Sequence, residues 1–155
     1  MNFWLLKSEP GNYSIDDFAR EKATDWTGVR NYQARNFMKE MEVGDLALFY
    51  HSNAEPPGVT GIAKITSLAK PDRFQFDRKS PYYDAKATRD SPIWFCPDIA
   101  FVEKFDDIVS LSALRASAKL KEMGVLQKGS RLSVLPVSKA HFSEVLRMAG
   151  ARSKV

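Results

Sequence analysis

A mixed α/β (α+β) domain built on a curled, barrel-like sheet is the fold class this sequence predicts. About five or six segments read as strands, and the helical segments between them are too few and too short for a doubly wound sheet. No repeat or linker divides the chain. Its 155 residues, 44% hydrophobic and 27% charged, match one globular domain, read as 1–150 with 151–155 as a C-terminal tail.

The elements follow in order. "NFWLLKS" is apolar on both faces and reads as a central first strand. Ser14, with Asp17 three residues on, forms a capping-box pattern for a short helix to about Glu21. A second helix begins near Asn31. Its Ala34, Phe37, Met38 and Met41 fall on one stripe, and Gly44 is expected to stop it at a C-cap position. "DLALFYHS" is the second strand, "NAEPPG" a turn, and "VTGIAKITSLA" a third strand with period-two alternation. Residues 70–92 form a long charged, proline- and aromatic-rich segment with no period, the kind of loop that is functional or mobile. "IWFCPDIAFVEKF" resumes strand character, and Pro97 implies an edge or bulge. Ser110 caps a helix over "LSALRASAKL", and "RLSVLPV" is the last strand. Ser138 caps a terminal helix with Phe142, Val145, Leu146 and Ala149 on one stripe. "GARSKV" is expected to fray.

Composition excludes several classes. One cysteine, Cys96 in an apolar run, rules out an internal disulfide and fits a reducing, cytoplasmic setting. The start lacks the basic region and cleavage site of a signal peptide, and no apolar run is long enough to span a bilayer. The net charge of +4 permits a polyanionic partner without demanding one. His51 and His141 lie far apart, and nothing shows metal-ligand spacing, so no metal or cofactor is expected; His141 is read as facing solvent. Phosphate-binding glycine loops are absent, as is a nucleophile elbow. His51 and Ser52 are neighbours on a strand and point to opposite faces, which argues against a nucleophile–base pair. Lys7 and Glu9 share a strand face and are placed to pair near its end. No catalytic constellation emerges.

What remains is an inventory of aromatics and amides. Trp4, Trp26, Tyr32, Tyr50, Tyr82, Tyr83 and Trp94 lie beside polar punctuation. Trp26 leads into "TGVRNYQARN", where Gly28 allows a turn and Arg30, Asn31, Arg35 and Asn36 fall at or near a helix N-terminus, a place that suits an anion. Rings stack on the faces of a nucleobase while amides read its edge, so these residue types suit a base-sized ligand.

The pieces "WLLKSEP", "YSIDDF", "WTGVRNYQARNFM", "GDLALFYHSN", "PPGVTGIAKI", "PYYD", "PIWFCPDIAFVEKF" and "GSRLSVLPV" together resemble the EVE domain, over essentially residues 2–148. That resemblance implies a PUA-like fold, a strongly curved β pseudobarrel with flanking helices, related to the YTH readers of methylated adenine. It also implies a pocket for a modified base in DNA or RNA, modified cytosine among the candidates, rather than catalysis. By comparison with YTH, Lys7 and Ser8 stand at the strand end and Trp26 matches the cage tryptophan. The second wall of the cage is left open among Tyr82, Tyr83 and Trp94. Two departures stand out: Thr27 where an acidic residue is common, and Leu135 where glutamine is common.

The expected base-binding set is therefore Lys7, Ser8, Glu9, Trp26, Asn31, Tyr32, Arg35, His51, Ser52, Asn53, Tyr82, Tyr83, Trp94 and Ser133. Lys7, Arg30, Arg35 and Arg131 are expected on phosphates. The expected partner is nucleic acid carrying a modified base, with no membrane and no obligate protein partner. Two alternatives remain: a sensor of a nucleoside-like or acidic metabolite, and a nucleic-acid-processing enzyme using Glu9 or Asp25 as general base.

Overall fold

Eight strands and four α-helices form along residues 1–155 of the computed structural model. They run β1 (Phe3–Ser8), α1 (Ile15–Glu21), β2 (Ala23–Asp25), α2 (Tyr32–Glu40), β3 (Leu46–His51), β4 (Gly58–Ile65), β5 (Lys70–Pro71), β6 (Phe95–Cys96), β7 (Asp98–Ser110), α3 (Leu111–Ala116), β8 (Val134–Val137) and α4 (Lys139–Ala149). Six strands make one curled sheet in the order β2-β7-β4-β3-β1-β8, while β5 and β6 form a separate two-stranded piece. Only β1 and β3 run parallel; the other pairs are antiparallel. This is the curved half-barrel that the sequence predicts.

The curl has a local cause. Along β4 the pairing with β7 slips between Val59 and Gly61 and again between Ile62 and Ala63. At Gly58 and Gly61 a Cβ would run into the carbonyls of Val109 and Glu103, so only glycine lets the two strands approach this closely.

Alternate strand residues feed two cores, one on each face of the sheet. Leu5, Leu48, Tyr50 and Ile62 pack with Leu114, Phe142 and Val145. Trp4, Leu6, Phe49 and Ala63 pack on the other side with Phe18, Ala34 and Met38. Because β4 is covered on both faces it is buried almost throughout, in place of the expected apolar–polar alternation.

Capping follows the sequence at four helices. Ser14 and Asp17 make the full capping box, and Asn31, Ser110 and Ser138 each accept an N–H three residues on. The second helix ends at Glu40 with Met41 as its C-cap, not at Gly44. Gly44 instead takes φ +99° in the turn before β3, its N–H donating to the Ile65 carbonyl at 2.8 Å. Pro97 interrupts the fourth apolar run, and where an edge or bulge was expected it separates β6, paired with β5, from β7 of the main sheet. The last strand is shorter than expected, beginning at Val134.

The chain end is not frayed. The N–H groups of Arg152 and Ser153 each donate to the Glu103 carboxylate at 2.9 Å, and the Ser153 hydroxyl joins them at 2.7 Å. His141 is half-buried where solvent exposure was expected, and no helix is long and apolar enough to cross a membrane.

Candidate functional site

At one end of the sheet a cleft of about 430 Å³ is enclosed by the end of β1, the turn after it, the end of β2, the loop from Trp26 to Arg30, Tyr82 and Ser133. Backbone bonds assemble its floor. The Lys7 N–H donates to the Ser133 carbonyl at 2.9 Å, joining β1 to the approach of β8. The Ser8 hydroxyl donates to the Tyr13 carbonyl at 2.6 Å and closes the turn between them. The Trp26 N–H donates to the Pro97 carbonyl at 3.0 Å, fixing the tryptophan against the break between β6 and β7.

Trp26 is 7% exposed, with Phe49 edge-on at 5.6 Å and Tyr13 edge-on at 6.3 Å. Opposite the loop, the Tyr82 ring lies against Gly28: a Cβ there would sit 2.9–3.2 Å from three ring carbons. Gly28 also has φ +91°, so both backbone and space call for glycine. Tyr82 is held by Arg30, whose Nε and Nη2 donate to the Tyr82 carbonyl at 3.0 and 2.9 Å, with the guanidinium 5.5 Å from the ring centre.

The loop is in turn anchored by Asp72, which is 1% exposed. Its carboxylate accepts the Gly28 N–H at 2.8 Å, Arg30 Nη1 at 3.0 Å and the Phe74 N–H at 2.8 Å. Gln75, fully buried, knots the long segment: its amide donates to the Asp72 and Trp94 carbonyls and accepts from the Ile93 and Trp94 N–H groups. Residues 70–92 are thus a braced arch, and the sequence offered no sign of Asp72 or Gln75 beyond an Asx pattern at "DRF".

Lys7 lies in the cleft without an acidic partner, its Nζ 5.9 Å from the Tyr50 ring, and burial lowers its pKa. The expected pairing of Lys7 with Glu9 is absent: Glu9 is taken by Asn53 at 2.7 Å, with Asn12 at 3.5 Å. Asp25 is held by Arg73 through two contacts of 2.9 and 3.3 Å, and that bonding keeps its carboxyl below the usual range. The Tyr13 phenol oxygen is buried with no hydrogen-bond partner. Burial first, then the charge of Glu21, pushes its pKa up to about 12, and Thr24 and Glu21 stand near it without hydrogen-bonding geometry. No group of His, Cys, Asp and Glu gathers with the spacing of a metal site.

Of the expected residues, Lys7, Ser8, Glu9, Trp26, Arg30, Tyr82 and Ser133 line the cleft, and Asn53 reaches its rim through Glu9. The others are placed elsewhere. Asn31 spends its side-chain oxygen on the Ala34 N–H as the cap of α2. Trp94 is buried, its indole N–H donating to Asp84 at 2.8 Å, and Tyr32 stacks on it outside the cleft. Arg35 bonds the Ile93 carbonyl and Asn36. His51 Nε2 accepts the Ile15 N–H at 3.1 Å and faces a different hollow, beside Lys104 and Asp106. Ser52, Tyr83 and Arg131 do not line the cleft. Arg30 has most of its donors committed to Tyr82, Val29 and Asp72, which removes it as a free phosphate contact. Tyr13, Asn12 and Thr24 line the cleft and were not expected there.

Comparison with known proteins agrees over nearly the whole chain. The family model described as EVE domain matches residues 2–148. Thymocyte nuclear protein 1 of Gallus gallus is 38% identical over 164 residues, covering 94% of this chain and 67% of that protein. A hypothetical protein from Leishmania major superposes with TM-score 0.93 at 45% identity, covering 97% of this chain and 95% of that one. The crystal structure of human THYN1 protein in complex with 5-methylcytosine-containing DNA superposes with TM-score 0.90 at 36% identity, over 99% and 100%.

Proposed function

The chain belongs to the EVE domain family, and from that premise we propose that it reads a modified base in nucleic acid, binding the base in the cleft and leaving it unchanged. The observation that carries this reading is the cleft itself: about 430 Å³ lined by both Trp26 and Tyr82, with its floor tied by backbone hydrogen bonds. Its volume is at the small end for ligand pockets. Trp26 and Tyr82 are the two aromatic walls, Lys7 the unpaired cation, and the Trp26 indole N–H, Thr27 and Ser133 the groups left to read a base edge.

Energetics support extrusion of a base into this site. Unstacking costs a few kcal/mol, and stacking on aromatic walls returns about 1–3 kcal/mol per base before phosphate contacts are added. Binding is favoured over catalysis because both carboxylates in the cleft, Glu9 and Asp25, are engaged by neighbouring side chains, which opposes a general-base role. 5-Methylcytosine in DNA is the first ligand to try, since a relative of 36% identity is described in complex with DNA containing it. The functional unit is residues 1–150, with 151–155 as its strap. A cytoplasmic setting fits the buried lone thiol of Cys96.

The test is a titration of paired oligonucleotides differing only in one 5-methyl group, with other modified bases alongside, at two salt concentrations. Preference for one modified strand, lost in Trp26→Ala, supports the reading. Equal affinity for every modified and unmodified strand overturns it.

A further inference from the structure

Outside the cleft, Tyr32 is 58% exposed at the start of α2, where a flat ring in water calls for a reason. It is not loose. It stacks on buried Trp94 at 4.9 Å and 27°, and Trp94 is itself fixed through its indole N–H to Asp84. The Arg35 guanidinium lies 4.9 Å from the Tyr32 ring centre and 5.9 Å from that of Trp94, pinned by the Ile93 carbonyl and Asn36.

Even with Trp94 against one face and Arg35 beside the ring, Tyr32 keeps more than half of its surface in water.

The surroundings are cationic. Arg35 and Lys39 on α2 and Lys86 on the arch are in no ion pair. Asp84, the carboxylate beneath Trp94, is already bonded to the Trp94 indole and the Lys86 N–H. An exposed, pre-ordered aromatic ring, with Arg35 against it and Lys39 and Lys86 on the adjoining segments, fits a second nucleobase with its phosphates.

The platform is also coupled to the cleft. The Arg30 guanidinium lies 5.5 Å from the Tyr82 ring and 5.4 Å from Trp94, so one continuous cation–aromatic stack links the cleft wall to Tyr32. A strand with a base in the cleft covers that span with a few nucleotides.

We propose that the exposed ring of Tyr32 is a stacking platform for a base flanking the one held in the cleft, on the same strand. This rests on the base-reading proposal above. The experiment combines Tyr32→Ala and Tyr32→Phe with a single abasic residue moved stepwise along each side of a 5-methylcytosine in a DNA strand. One flanking position is expected to weaken wild-type binding about fivefold or more. Tyr32→Ala should show that loss on the intact strand and no further loss at the same abasic position, while Tyr32→Phe behaves as wild type. Absence of any position coupled to Tyr32, with the methyl preference intact, overturns the platform and leaves the cleft reading standing. Coupling that persists while every modified and unmodified strand binds equally supports the platform and removes the cleft reading.

Discussion

Gly28→Ala tests the contact between the Trp26–Arg30 loop and Tyr82. The new methyl meets two obstacles, a backbone at φ +91° and the Tyr82 ring carbons at 2.9–3.2 Å. Left-handed strain costs about 1–2 kcal/mol for a residue with a Cβ. The ring end of a half-exposed tyrosine moves more easily than backbone, so Tyr82 swings away and forfeits its contact with Arg30, about 0.5–1 kcal/mol. Gly44→Ala is the matched control, with φ +99° and nothing near its Cβ. Chemical denaturation should therefore show Gly28→Ala as the more damaging of the two by that smaller amount, with the excess vanishing in a Tyr82→Ala background. In oligonucleotide titrations Gly28→Ala loses one wall of the cleft, about 1–3 kcal/mol, which is roughly 5- to 150-fold in affinity. Wild-type binding by Gly28→Ala, or a stability loss no greater than that of Gly44→Ala, would refute this account.

Three further outcomes follow from the geometry. Asp72→Asn turns an amide N–H₂ toward donors that need an acceptor; urea unfolding should show a loss of about 3 kcal/mol, with weaker oligonucleotide binding, and an unchanged midpoint would remove Asp72 as the loop anchor. Burial lowers the His51 pKa from 6.5, and its acceptance of the Ile15 N–H needs the neutral ring. The unfolded chain then takes up the proton first, so the contribution is full above about pH 6.5 and falls away as pH drops toward the folded value. NMR titration of the two histidines should find His51 protonating below 6.5, and a value above it contradicts the placement. The Cys96 thiol, pushed up to about 12 mainly by burial, should react with thiol reagents only as fast as the protein opens, so rapid labelling under native conditions would count against this packing.

Signals confined to a few residues were legible in the sequence. Ser14 and Asp17 are three apart and meet in the same turn; Ala34 and Met38 share one helical face, with Met41 buried just past its end; and Pro97 cannot donate within a ladder. Trp26 stood out through the glycine and amides that follow it, and it lines the cleft. What lay hidden depended on distant partners. Asp72 meets Gly28 across 44 positions, and nothing local distinguishes it from any other Asx turn. Tyr82, Tyr83 and Trp94 looked interchangeable as a second wall because all are aromatics of one segment; of the three only Tyr82 lines the cleft, and Gln75 draws the backbone at Trp94 inward. Asn31 was misread for a related reason: the same oxygen that can read a base edge is the best available cap for α2. Burial of β4 on both faces followed from α1 and α4 covering opposite sides, which no period within the strand encodes.

The separation of the two cores has an evolutionary consequence. The walls of the cleft draw on Trp26, Tyr13 and the packing around Phe49, all on one face of the sheet, whereas Phe142, Val145, Leu114 and their neighbours occupy the other. Substitutions behind the sheet can raise or spend stability while the ligand-facing geometry stays where it is. A lineage, or a protein engineer, can therefore remodel the rear half of the domain to suit a new temperature or a fused neighbour and leave ligand preference to be set by the front half alone.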